Sequence, residues 1–242
     1  MTVPAIKSDT LQTPDCPSDD AAALSRLEQR LPPLLSVIAG MVDLTGFFTL
    51  GNIFTAHITG NLVVAAATAV RGGPLLLVQI LAIPVFILVL SAVWVSARVS
   101  DRRGASLARQ LLVIQLVLLT TVLIFCVITK PSGNPHGLMA GIAVMIAVSA
   151  MACQYALLRL AIPGAISTAV MTGNLTNTVL SLMDASSRSP LLPVDAERLK
   201  RSSHLLFGFL AGCVVAAVAI SLLGDWAWSF PVVLAAIAVA LP

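Results

Sequence analysis

An all-α integral membrane protein is what this sequence predicts, and three observations carry the prediction. Hydrophobic residues make up 58% of the chain, charged residues only 10%, and the mean hydropathy is +0.98. Apolar runs close to the length of a bilayer crossing recur along it, and the basic residues gather between them. A soluble domain carries about a quarter of its residues as charges to keep its surface wet, so a water-exposed globular surface is excluded. Length is better counted in crossings of about 20 residues each. The net charge of +3 is small and sits in loops, which is a topology signal and not a nucleic-acid surface.

Residues 1–30 differ in kind from the rest, with Asp9, Asp15, Asp19, Asp20 and Glu28 beside Lys7, Arg26 and Arg30. They read as a solvated, disordered cytoplasmic tail ending in a short helix over 21–31, capped by Asp19 or Asp20. The tail is too long and acidic for the n-region of a cleavable signal peptide. Six apolar runs follow, at about 33–50, 74–97, 110–129, 137–158, 204–223 and 226–241, and each approaches spanning length. Trp94, Trp226 and Trp228 lie near run ends, where an interfacial aromatic belt would hold them. Cys126, Cys153 and Cys213 fall inside apolar runs without metal or redox spacing, and with Cys16 they read as small residues, not ligands.

Two further segments, 53–70 and 166–183, are semi-polar and interrupted by Gly and Asn. They also carry an internal repeat. Residues 51–62 align without a gap to 164–175, with eight identities in twelve positions and an unbroken Thr-Gly-Asn-Leu in both. Chance matches of Ala and Leu are common in apolar sequence, but Thr, Gly and Asn in register are not. The repeat divides the chain into halves at 31–129 and 130–242.

Charge placement bears on orientation. If all eight segments spanned, the basic clusters at 98–109 and 188–201, with four Lys or Arg each, would face opposite sides against the positive-inside rule. Six spans with two re-entrant or broken segments put twelve of the fourteen basic residues inside, leaving Arg71 and Lys130 outside. A seven-span variant with the N-terminus outside also keeps both clusters inside. Three spans per half is an odd number, so six spans make the halves an inverted 3+3 repeat. That is a transporter and channel architecture, with irregular backbone confined to protein interior or a wet cavity.

Ala39-Gly40-Met41-Val42-Asp43, then Gly46-Phe47 and His57-Ile58-Thr59-Gly60-Asn61, resemble the YoaK-like family of small bacterial membrane proteins. The resemblance runs from about Leu34 to the C-terminus and is weaker at Gln154 and across Thr172, Gly173 and Asn174. It implies a six-helix protein of the bacterial inner membrane and supplies no substrate.

Asp43 is the one acidic residue in the interior of an apolar run. An ionised carboxylate there costs at least about 2.5–3.5 kcal/mol, so it reads as a coupling site on a cavity or as a hydrogen-bonded packing group. Thr59, Gly60 and Asn61, with Thr172, Gly173 and Asn174, offer short donors, acceptors and permissive backbone. They suit a solute site, or a close contact between halves. His57 has no counterpart, since Val170 stands at its register. Gln79, Gln115, Gln154 and Tyr155 could line a path or join helices, with packing the favoured account of each, and Gln154 joins the candidate solute- or ion-binding set. Gly208 with Gly212, and Gly137 with Gly141, read as close helix contacts.

No His-Glu-x-x-His, Gly-x-Ser-x-Gly or carboxylate pair on one helix face is present, so enzymatic activity is not expected. The expectation is a transporter or channel for a small solute or ion, with a membrane scaffold or assembly factor as the alternative. Its partners are the bilayer and that solute, with no cofactor, metal or nucleic acid, and a homo-oligomer is left open. Asp43, Thr59, Asn61, Thr172 and Asn174 are expected to form one polar cluster near the bilayer midplane.

Overall fold

The computed structural model of the chain describes residues 19–72, 76–100, 104–162, 164–168, 170–186 and 193–241. They fold into eight α-helices: α1 Asp19–Thr49, α2 Gly60–Arg71, α3 Leu76–Val99, α4 Gly104–Thr129, α5 Leu138–Leu160, α6 Met171–Ser186, α7 Pro193–Leu223 and α8 Ser229–Ala240. Single 3-10 turns at Pro131–Gly133 and Gly224–Trp228 join α4 to α5 and α7 to α8, and no strand occurs among the described residues. Five stretches are long and apolar enough to cross a membrane: Leu27–Thr49, Leu77–Val99, Gly104–Thr129, Leu138–Leu160 and the 45-residue Ala196–Ala240. The last of these contains α7, the 3-10 turn and α8. The molecule is a multi-pass helical membrane protein.

α3, α5 and α8 keep the expected bounds within three residues, α4 and α7 begin earlier than their apolar runs, and α1, α2 and α6 differ in kind. The short helix expected over 21–31 and the first apolar run are one continuous helix, α1, which begins inside the stretch read as tail. It passes through Pro32 and Pro33, whose missing N–H groups remove two bonds of the ladder without ending it. In membranes such losses are tolerated where neighbouring protein packs against the site. The tail proper, with Cys16, lies outside the described residues. The semi-polar segments are shorter helices than their sequence spans, because α2 starts at Gly60 and α6 at Met171, within or beside each Thr-Gly-Asn.

Packing pairs helices across the two halves. α1 and α7 lie against each other and run in the same direction: Glu28 meets Arg201, Ser36 Oγ donates to the Leu205 carbonyl, and Cys213 Sγ contacts the Gly40 carbonyl. The two backbones touch. A Cβ on Gly40 would strike the Phe209 carbonyl oxygen, and one on Gly212 the Val37 carbonyl oxygen, so only glycine allows this approach. In the other pair, α3 and α5 also run in the same direction, with Val78 beside Gly141 and Phe86 beside Tyr155. α2 packs on α3 and α6 on α7, while α4 packs on α5 and α8, and α8 on α1.

The buried centre is built of small and branched residues of α1, α4 and α5, among them Leu31, Ile38, Leu119, Ala147 and Met151. At one end of the bundle Trp228 is fully buried, and its indole N–H points to Thr49 Oγ1 at 3.4 Å. Ser132 donates to Asp225 there at 2.6 Å, which fixes the two 3-10 turns beside each other. At the other end lie Glu28 of α1 and Arg201 of α7.

A candidate central site between the two repeat segments

The first repeat segment folds back along α1. After Thr49 the chain reverses at Gly51 and Asn52, whose φ angles of 87° and 59° favour glycine and asparagine. The returning strand of irregular backbone would leave N–H groups without partners in an apolar interior, and Asp43 supplies them. Its Oδ1 accepts from the N–H groups of Thr55 and Ala56, each at 2.8 Å, and of His57 at 3.4 Å. Its Oδ2 meets His57 Nδ1 at 2.6 Å. Thr55 Oγ1 adds a bond to the Val42 carbonyl, and Tyr155 of α5 donates to the Ala56 carbonyl at 2.7 Å. Asp43 is therefore a buried hub, with both carboxylate oxygens engaged by the loop. With the carboxylate as acceptor, the imidazole carries its shared proton on Nδ1.

The asparagine of each repeat closes its own loop. Asn61, fully buried, accepts from the Phe54 N–H at 2.9 Å and donates to the Phe54 carbonyl at 2.7 Å. Asn174, also buried, donates to the Ser167 carbonyl at 3.1 Å. Phe54 and Ser167 occupy matching positions in the repeat, each seven residues before its asparagine. The two motifs thus share a local geometry as well as a sequence. Gly60 is where a Cβ would come within 3.0 Å of the Phe54 ring, and a Cβ on Gly173 would lie 2.9 Å from Val170.

The two segments meet at a cavity of about 470 Å³. His57 and Thr59 line it from the first segment, Val170, Met171 and Thr172 from the second, with Phe86 and Tyr155 between them. The sequence-predicted residues therefore separate into two layers. Thr59, Thr172 and His57 face the cavity. Asp43 stands behind His57, and Asn61 and Asn174 are engaged with loop backbone, so the expected single cluster of five is not formed as such. The Phe209 ring of α7 packs edge-on to the imidazole, with centroids 5.0 Å apart.

Gln154 belongs to a separate buried network. Its amide accepts from Gln115 at 2.7 Å and donates to the Leu35 carbonyl at 3.0 Å, with Thr168 Oγ1 of the second segment at 3.4 Å. It ties α4, α5 and α1 together and reaches the second loop, much as Asp43 reaches the first. Gln79 is buried with its Oε1 unpartnered among the described residues. Among the same residues no three of His, Cys, Asp or Glu converge to hold a metal ion.

Sequence reasoning missed two things. The bond from Tyr155 to Ala56 joins residues 99 apart, and no local pattern signals it. The Glu28–Arg201–Glu197 group was also missed, although Glu197 and Arg201 have helical i, i+4 spacing.

No curated protein and no solved structure matches the chain. A family model matches residues 31–241, which cover α2 to α8 and most of α1, so the chain belongs to the family described as protein of unknown function, DUF1275.

Proposed function

We propose that this protein is a transporter or channel for a small solute or ion, built from two inverted three-span repeats. In this reading α1, α3, α4, α5, α7 and α8 cross the bilayer, and each Thr-Gly-Asn segment re-enters from one side. What supports the inversion is the reciprocity of the packing. Exchanging α1 with α5, α2 with α6, α3 with α7 and α4 with α8 turns α1–α7 into α3–α5, α2–α3 into α6–α7 and α1–α8 into α4–α5, all of which are observed. Arg30, Arg98, Arg159, Lys200 and Arg201 fall toward one end of the bundle in this arrangement. The positive-inside rule makes that end cytoplasmic.

The single observation that carries the transport reading is the cavity where His57 and Thr59 of one repeat face Thr172 of the other. Irregular backbone is tolerated at membrane depth beside a cavity or within protein, and discontinuous helices at a repeat interface are where transporters bind their cargo. Thr59 and Thr172 are exposed and line the cavity, and among the described residues neither hydroxyl is engaged in a hydrogen bond that a solute would have to break. Asp43 would act through His57, as the group that sets its orientation.

The test is an uptake screen of small solutes in proteoliposomes, comparing wild type with Thr59→Val/Thr172→Val and Asp43→Asn. Uptake that falls in the threonine variant while its melting temperature is unchanged supports the reading. Cysteines placed at Ser100 and Lys200 should label from one side and one at Ser132 from the other; labelling of Ser100 and Lys200 from opposite sides rejects the inverted arrangement. A scaffold reading is favoured by one observation, that both oxygens of Asp43 are engaged in holding the first loop. No uptake of any solute, with the loops intact, would move that reading ahead.

A further inference from the structure

A second cavity, of about 330 Å³, opens at the end of the bundle where α1 and α7 begin their contact. Its inner wall is Ala165 and Ile166 of the second repeat segment, and Pro32, Pro33 and Leu205 make its apolar sides. Six ionisable residues line the rest: Glu28, Arg30, Glu197, Lys200, Arg201 and His204. Both carboxylates are engaged by one guanidinium. Arg201 Nη1 donates to Glu28 at 3.0 Å and Nε to Glu197 at 2.9 Å, which fixes the start of α7 against α1. Gly164 leaves room for this, since a Cβ there would collide with the Glu28 carboxylate.

Three basic side chains remain. Lys200 and His204 are one helical turn apart on α7, and Arg30 comes from α1; all three are exposed. Among the described residues neither Arg30 nor Lys200 takes part in an ion pair. Donors on two helices around one small space suit an anion with several non-coplanar oxygens, to which Arg offers a fork and Lys a point charge. We propose that this cavity binds a phosphate group, held by Arg30, Lys200 and His204, with the Glu28–Arg201–Glu197 group positioning the two helices. The phosphate comes either from a phospholipid headgroup, which lies at this level of a bilayer, or from solution. This inference does not depend on transport.

The experiment uses the full chain in dodecyl maltoside micelles, which carry no phosphate. Phosphatidylglycerol is added in one arm and inorganic phosphate in the other, and binding is followed by the rise in melting temperature with concentration. Wild type should be stabilised, and Arg30→Gln/Lys200→Gln should bind roughly ten- to thirtyfold more weakly. The control Arg109→Gln/Arg159→Gln removes equal charge and should bind as wild type. Melting in dodecyl maltoside alone checks that each variant folds. Stabilisation by phosphatidylglycerol only assigns a headgroup, and stabilisation by both assigns any phosphate. The proposal is overturned if neither ligand stabilises wild type, if Arg30→Gln/Lys200→Gln keeps the response, or if the control loses it equally.

Discussion

The two repeat segments share eight of twelve residues and the same asparagine-closed loop, yet they are anchored to their neighbours by different chemistry. The first rests on a carboxylate: Asp43 takes two backbone N–H groups at 2.8 Å and the His57 ring at 2.6 Å. The second rests on amides and hydroxyls, with Gln154 reaching Thr168 at 3.4 Å. Where the first segment has His57, the second has Val170, which no acid requires. The comparison teaches that the shared motif closes each loop on itself, whereas residues outside the motif decide how firmly each loop is held. Among the described residues the first loop has the more numerous polar anchors.

The strongest way to break this contrast is to remove the hub. Asp43→Ala leaves the Thr55 and Ala56 N–H groups without an acceptor in an apolar interior. It should cost about 3–5 kcal/mol, read as lost folded yield and melting temperature in detergent. Asp43→Asn keeps one acceptor and should cost roughly half as much. An Asp43→Ala protein that melts like wild type would show that the carboxylate does not hold the loop.

A double-mutant cycle sharpens the point. His57→Val gives the first segment the residue of the second and strands Asp43 Oδ2; we expect a loss of about 1.5–3 kcal/mol. Combined with Asp43→Ala it should cost less than the sum, with a coupling of about 1–3 kcal/mol. Additive losses would mean that the 2.6 Å contact has no energetic weight.

The asparagines test the part the halves have in common. Asn61 makes two bonds to Phe54 and Asn174 makes one to Ser167. Replacement by Ala should therefore cost about 2 kcal/mol at Asn61 and about 1 kcal/mol at Asn174. The reverse order of melting temperatures would contradict the ranking of the two loops. Smallest of all in stability are Thr59→Val and Thr172→Val, expected within about 0.5 kcal/mol of wild type because both side chains face the cavity. A larger loss would identify them as packing residues.

The all-helical class and the membrane setting were legible in the sequence, because a span is a local property: about 20 apolar residues in a row announce themselves. The repeat was legible for the same reason, since Thr, Gly and Asn recur in register. Asp43 was singled out because a lone carboxylate in an apolar run is costly. Its partners were not readable, since they come from a chain reversal at Gly51 that brings residues 12 to 14 positions away back beside it. Only the tertiary structure decided that α1 continues through Pro32 and Pro33, where packing against α7 outweighs two lost backbone bonds. It also decided which members of the two motifs share a cavity. Thr59 and Thr172 come within one space through the approach of helices more than a hundred residues apart in sequence, and no spacing within either segment encodes that approach. What the sequence determined is what each segment prefers in isolation; what the fold decided is which preferences meet, because helix association in a membrane depends on long-range shape and hydrogen bonding and not on local hydropathy.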